Sequence, residues 1–162
     1  MALEFEYVGI NKDNETNAIL GHAGFIKTVE DLYEAMVNAV PGIKFGIAFA
    51  EASGPCLVRS DGNDDTLRRQ AEESMVKIAA GHTFLILFKN AYPINIINDI
   101  KKVNEVAAIY CATGNPVQII VAKAEIGRSI VGVVDGLPSR GVENDEDKEA
   151  RRKLLRDLGY KK

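Results

Sequence analysis

The sequence predicts an α/β protein: a three-layer α/β/α sandwich with a mixed sheet and a C-terminal antiparallel meander. Three observations lead there. Short apolar runs alternate with segments of helical periodicity between residues 17 and 103. Several of the runs (FLILF, VQIIVA, SIVGVV) are apolar on both faces, as strands are when layers cover both sides of a sheet. The stretch before the tail is strand upon strand, broken only by TGNP and EIGR. Crossovers around the two middle helices imply parallel pairing there and hairpins elsewhere. With 162 residues, the chain reads as one domain, 1–162, ending in a charged helix within 143–162.

Element by element, residues 2–9 alternate Leu3, Phe5 and Tyr7 with Glu4 and Glu6, a strand with one wet face. After the polar loop NKDNETN, residues 17–24 form a second short strand. Thr28 is placed as the cap of a helix whose inner face carries Leu32, Ala35, Met36 and Ala39, and Pro41-Gly42 ends it. Residues 43–50 and 56–60 are strands joined by EASGP. Asn63 or Asp64 opens the next helix, with Leu67, Ala71, Ser74, Met75 and Ile78 inward and Gly81 as its stop. The strand 82–88 follows, and Pro93 starts a short helix through Val103. VAAIYCAT, VQIIVAKA and SIVGVVDG make the meander. Leu154, Leu155 and Leu158 give the terminal helix a thin apolar stripe.

Bulk chemistry excludes several classes. Twenty basic and 23 acidic residues leave a net charge of −3, without the basic excess that holds a nucleic-acid backbone. No apolar stretch is long enough to span a bilayer, and the acidic MALEFEYVGINKD does not read as a signal peptide, so no membrane partner is expected. Cys56 and Cys111 lie far apart in apolar surroundings and read as buried free thiols of a cytoplasmic protein. Two separated histidines give no recognisable metal-ligand set. Neither G-x-G-x-x-G nor G-x-x-x-x-G-K-[ST] is present.

The candidates for chemistry centre on GHTFLILFKNAYPIN, residues 81–95. His82 either starts a strand or presents an imidazole to a phosphoryl group, in which case a carboxylate must fix one ring nitrogen. Asp135, Glu51 and Asp61 are the candidates for that partner. Phe84 shares a strand face with His82. Lys89, Asn90 and Tyr92 leave the far end of the strand, where sheet ligands collect in open α/β folds. Asn115 lies in the CATGNP turn, and Arg59 and Arg128 offer guanidinium forks for an anion. The small residues Gly46, Ala48 and Ala50 leave room for a close helix or for a ligand. His22 reads as structural.

Three motifs in order, IAAGHTFLILFKNAYPIN, VAAIYCATGNPVQIIVA and GRSIVGVVDG, give the sequence a resemblance to the adenosine-specific kinase family over nearly its whole length. The resemblance implies a three-layer α/β fold, a homotrimer, binding of adenosine or AMP, and a phosphorylated histidine at His82. It implies ATP or another phosphoryl donor, with Mg²⁺ as an option. Lys89, Asn90, Tyr92, Asn115 and Asp135 would border the pocket, with Asp135 orienting the imidazole or assisting Mg²⁺. Lys89 and Arg59 or Arg128 would steady the transferring oxygens, and Tyr92 or Phe84 would stack on adenine. The alternative is an adenine-nucleotide-binding or sensing module without turnover.

Overall fold

A computed structural model describes residues 2–162. The elements are β1 (Glu4–Gly9), β2 (Asn17–Ala23), α1 (Thr28–Ala39), β3 (Lys44–Ala50), β4 (Val58–Gly62), α2 (Asp65–Ile78), β5 (Thr83–Lys89), α3 (Pro93–Lys101), β6 (Val106–Thr113), β7 (Val117–Lys123), β8 (Arg128–Asp135) and α4 (Asp145–Asp157). A five-stranded sheet in the order β4-β3-β5-β2-β6 and a three-stranded sheet β1-β7-β8 carry the fold. On one face of the larger sheet, Phe45, Ile47, Phe49, Phe84 and Ile86 pack under Leu32 and Met36 of α1 and Ile96 and Ile100 of α3. On the other, Leu20, Ala48, Leu85 and Leu87 meet Leu67, Ala71 and Met75 of α2 together with Val117, Ile119 and Val121 of the small sheet. The α/β class and its layers are as the two-faced apolar strands require.

Strand pairing differs from the expected mixed sheet: every pair in both sheets is antiparallel. The reason is a regular skip. Each of the first three helices does join two strands running the same way, but α1 carries the chain from β2 to β3 across β5, α2 from β4 to β5 across β3, and α3 from β5 to β6 across β2. An antiparallel strand fills every gap. The meander also divides, because β6 pairs with β2 while β7 and β8 form their hairpin in the small sheet. The CATGNP segment is therefore a corner between sheets and not a hairpin turn. Apolar periodicity marks strands without naming their neighbours, so this rearrangement is invisible to it.

Local signals behave unevenly. Asp64 caps α2, its Oδ1 accepting from Leu67 N at 3.0 Å. Asn144 and Asp147 cap α4 reciprocally at 2.8 and 3.0 Å, and no residue of that helix is buried. Thr28 is not the cap of α1: that position is Lys27, and the threonine hydroxyl instead donates to Phe25 O at 2.7 Å. The left-handed residue ending α2 is Ala79 (φ 49°), two positions before Gly81. The small face of β3 receives a helix, since a Cβ at Gly46 would lie 2.2 Å from the Arg68 backbone nitrogen. Cys56 is exposed and Cys111 half-buried; burial pushes the Cys111 thiol up to about 11. No described helix is long and apolar enough to cross a membrane.

Candidate functional site

Because β5 is antiparallel to both neighbours, its start lies beside the ends of β2 and β3, and its finish beside their starts. The seven residues of β5 separate the two ends by roughly 20 Å. His82 stands at one and Lys89 at the other.

At the histidine end the main chain of His82 is pinned on both sides. Its N–H donates to Ala50 O at 2.7 Å and its carbonyl accepts from Ala23 N at 2.9 Å. These bonds hold the residue in the left-handed region, at φ 59°. The imidazole lies on the ring of Phe49, stacked with centroids 6.0 Å apart, on the sheet face that carries Phe84. Nε2 faces Glu51 Oε1 at 3.9 Å, an ion-pair distance too long for a hydrogen bond. Glu51 Oε2 in turn meets Arg59 Nη2 at 2.9 Å, and Arg59 Nη1 donates to Ile26 O at 2.9 Å. The other ring nitrogen faces Gly24, where a Cβ would come within 2.8 Å of Nδ1. His22 stands edge-on, its ring centroid 5.9 Å from that of His82. The imidazole remains 39% exposed above a carboxylate that is 16% exposed.

The lysine end is differently built. Lys89 Nζ meets Asp13 Oδ2 at 2.7 Å, and that bond, with one from Thr16, lowers the Asp13 carboxyl to about 2. Asn115 Nδ2 donates to Asp135 Oδ1 at 3.0 Å, Asn17 Nδ2 to Ala91 O at 3.0 Å, and Lys12 Nζ to Gly114 O at 3.1 Å. Asn90, left-handed at φ 66°, donates to Gly42 O at 3.2 Å. A shallow cleft of about 500 Å³ opens among Glu15, Asn17, Asn90, Tyr92, Asn95 and Tyr160, with Tyr92 exposed.

The structure thus gathers His82 and Arg59 at one end and Lys89, Asn90, Tyr92, Asn115 and Asp135 at the other. Asp135 does not orient His82 within this chain, since the whole length of the sheet lies between them; of the three carboxylates considered, Glu51 is the one beside the ring. Phe84 is fully buried, its ring against Gly21, and has no face left for a base. Arg128 closes the end of α2, donating to Ile78 O and Lys77 O, and pairs with Glu6, so its fork is occupied. His22 and Gly24 also line the ring, and sequence reasoning misses them. The signal was present: both histidines follow a glycine, and the β2–β5 register sets His22 opposite Thr83, next to His82. Among the described residues no three His, Cys, Asp or Glu side chains converge as ligands for a metal ion.

The molecule is thus a small α/β protein with a histidine–carboxylate–arginine cluster at one end of an antiparallel sheet and no common phosphate loop. A family model described as adenosine-specific kinase matches residues 8–161. The crystal structure of the PH1918 protein from Pyrococcus horikoshii OT3 superposes with a TM-score of 0.96 at 49% identity, over 99% of each chain. None of the curated proteins matches. The chain belongs to the adenosine-specific kinase family.

Proposed function

We propose that this protein phosphorylates adenosine to AMP by way of a phosphohistidine at His82. The observation that carries the reading is the His82–Glu51–Arg59 cluster in a chain of this family. With Glu51 on the Nε2 side, Nδ1 is the nitrogen left to attack, and Gly24 leaves it uncovered. Nδ1 attacks the terminal phosphorus of the donor, the bond to the leaving oxygen breaks, and ATP would depart as ADP. The ribose 5′-hydroxyl then attacks the same phosphorus, the N–P bond breaks, the hydroxyl proton passes to solvent or a nearby base, and the imidazole returns to its starting state. Glu51 favours the imidazolium-like charge on the phosphorylated ring, and Arg59 steadies the transferring oxygens. A Mg²⁺ arriving with the donor's phosphates needs only one or two carboxylates, and Glu51 is the one beside the ring.

Adenosine contacts come from the Lys89 end of a neighbouring subunit, because one chain's two ends stand too far apart to share a ligand. Tyr92 stacks on the base, Asn90 and Asn115 meet polar edges, and Lys89 faces the phosphate of AMP. A homotrimer brings the ends together, and the outer face of the small sheet, with Phe5, Tyr7 and Val134 exposed, offers an apolar surface for assembly. The whole chain acts as one domain in the cytoplasm, where its two free cysteines stay reduced.

Labelled ATP and adenosine test this directly with wild type, His82→Ala and Tyr92→Ala. Each variant alone is expected to lose turnover, and mixed trimers to regain part of it. Undiminished turnover in His82→Ala would remove the histidine from the path. Tight AMP binding without turnover in wild type would leave the sensing module instead. Failure of mixed trimers to recover would place both ends' duties within one chain.

A further inference from the structure

Glu105, in the turn before β6, supplies the only buried side-chain polar atoms among the described residues that lack a hydrogen-bond partner. Its side chain is 4% exposed. Lys27 Nζ pairs with Oε1 at 2.9 Å and is shared with Asp31 Oδ2 on α1 at 2.6 Å. An ionised carboxylate taken out of water is costly unless it is both paired and hydrogen-bonded, so a half-satisfied one calls for a reason.

The reason lies in what Glu105 holds. Its main-chain oxygen accepts from Gly24 N at 3.2 Å, while its carboxylate draws in Lys27. One residue therefore fastens both ends of the four-residue loop 24–27. That loop touches the chemistry at two points: Gly24 lies against the His82 ring, and Ile26 O accepts from the Arg59 guanidinium. Ion-pair attraction is strongest where water is excluded, so a buried anchor fixes Lys27 more firmly than a surface pair would.

We infer that Glu105 is a positioning residue for phosphoryl transfer: by fastening Gly24 and Lys27 it sets the loop that aligns the His82 imidazole and the Arg59 guanidinium. This rests on the reading of His82 as phosphoryl acceptor. Misplacement of reacting groups by about an ångström costs on the order of 10²-fold in rate. Glu105→Gln keeps the side chain's size while removing the charge that draws Lys27.

The test uses the full chain. Its readouts are kcat and KM for adenosine, the rate of His82 phosphorylation by intact mass, and the imidazole resonances of the two histidines. Glu105→Gln is expected to lower kcat roughly 10- to 100-fold with KM for adenosine within about threefold. The His82 resonance should shift in the same variant. Lys27→Met should lose as much, and the double variant no more than either, because both act through one link. Wild-type kcat with an unmoved His82 resonance in Glu105→Gln overturns the inference, as do losses that multiply in the double variant. If Glu105→Gln melts below assay temperature, the double variant carries the test, since neither charge is then left alone. If wild type shows no turnover, the kinase reading fails, yet the resonance shift still decides whether Glu105 sets the ring.

Discussion

The two ends of β5 hold similar inventories: a cation, a carboxylate and an amide or imidazole within reach of one another. They use them in opposite ways. At the Lys89 end the charged and amide groups mostly close on each other, Lys89 on Asp13 and Asn115 on Asp135, and Lys12 on a main-chain carbonyl. This end is a seam where the chain turns from the five-stranded sheet into the three-stranded one. At the His82 end the main chain fastens the histidine, Arg59 closes on Glu51 and Ile26 O, and the imidazole is left without a hydrogen bond. Side-chain bonds pre-set the geometry of the Lys89 end, whereas the backbone holds His82 and leaves its imidazole free for a ligand.

Substitutions can break or sharpen that contrast. The largest effect is expected from Glu51→Gln, which should slow His82 phosphorylation 10- to 100-fold by removing the charge at Nε2, while Asp135→Asn should leave the same rate within about threefold. Intact-mass time courses read both. Equal losses would erase the distinction between the ends.

Gly24→Ala comes next. Its new methyl would meet Nδ1 at 2.8 Å, so phosphorylation should fall about tenfold, and the melting temperature should move little because the site is half-open. A large drop in melting temperature with normal phosphorylation would make Gly24 a packing residue only.

The smallest expected effect lies in the seam. Lys89, first among its partners, holds the Asp13 carboxyl down to about 2. A carboxyl lower in the folded chain than in the unfolded one adds stability that is complete above its ordinary value, near 3.8, and is lost as pH falls through about 2. Lys89→Met should raise the Asp13 titration, followed by carboxyl NMR, and shift acid unfolding to slightly higher pH. An Asp13 titration unchanged in the variant would mean that Thr16 and the loop backbone, not the lysine, hold it.

Legibility in the sequence followed the range of the physics. Period-2 and period-3.6 patterns act over a few residues, and they locate the eight strands and four helices of the described residues to within a few positions. Strand partners are long-range: Asn17 opposite Phe88 and Ala18 opposite Thr113 depend on three skipping crossovers that no local pattern encodes. Hence the mixed sheet and the meander were expected where an antiparallel sheet and a split are found. The same limit governs the site. His82 was legible as an isolated imidazole after a glycine, but its neighbours Glu51, His22 and Gly24 come from two other strand ends. Phe84 does share the face of His82, beside Phe49, but the layer of α1 and α3 buries its ring, which alternation along β5 cannot show. The left-handed turn at position 82 opens the strand and leaves the imidazole on that same face.

That turn has a thermodynamic corollary. A left-handed backbone costs a non-glycine residue about 1 kcal/mol, even for histidine, which tolerates it better than most. Glycine at position 82 would relieve the strain and keep both main-chain bonds. Selection for stability alone would favour it, and His82→Gly should leave a protein slightly harder to unfold and unable to carry a phosphoryl group. Under the proposed mechanism, the imidazole marks a position where selection for folding and selection for chemistry pull in opposite directions.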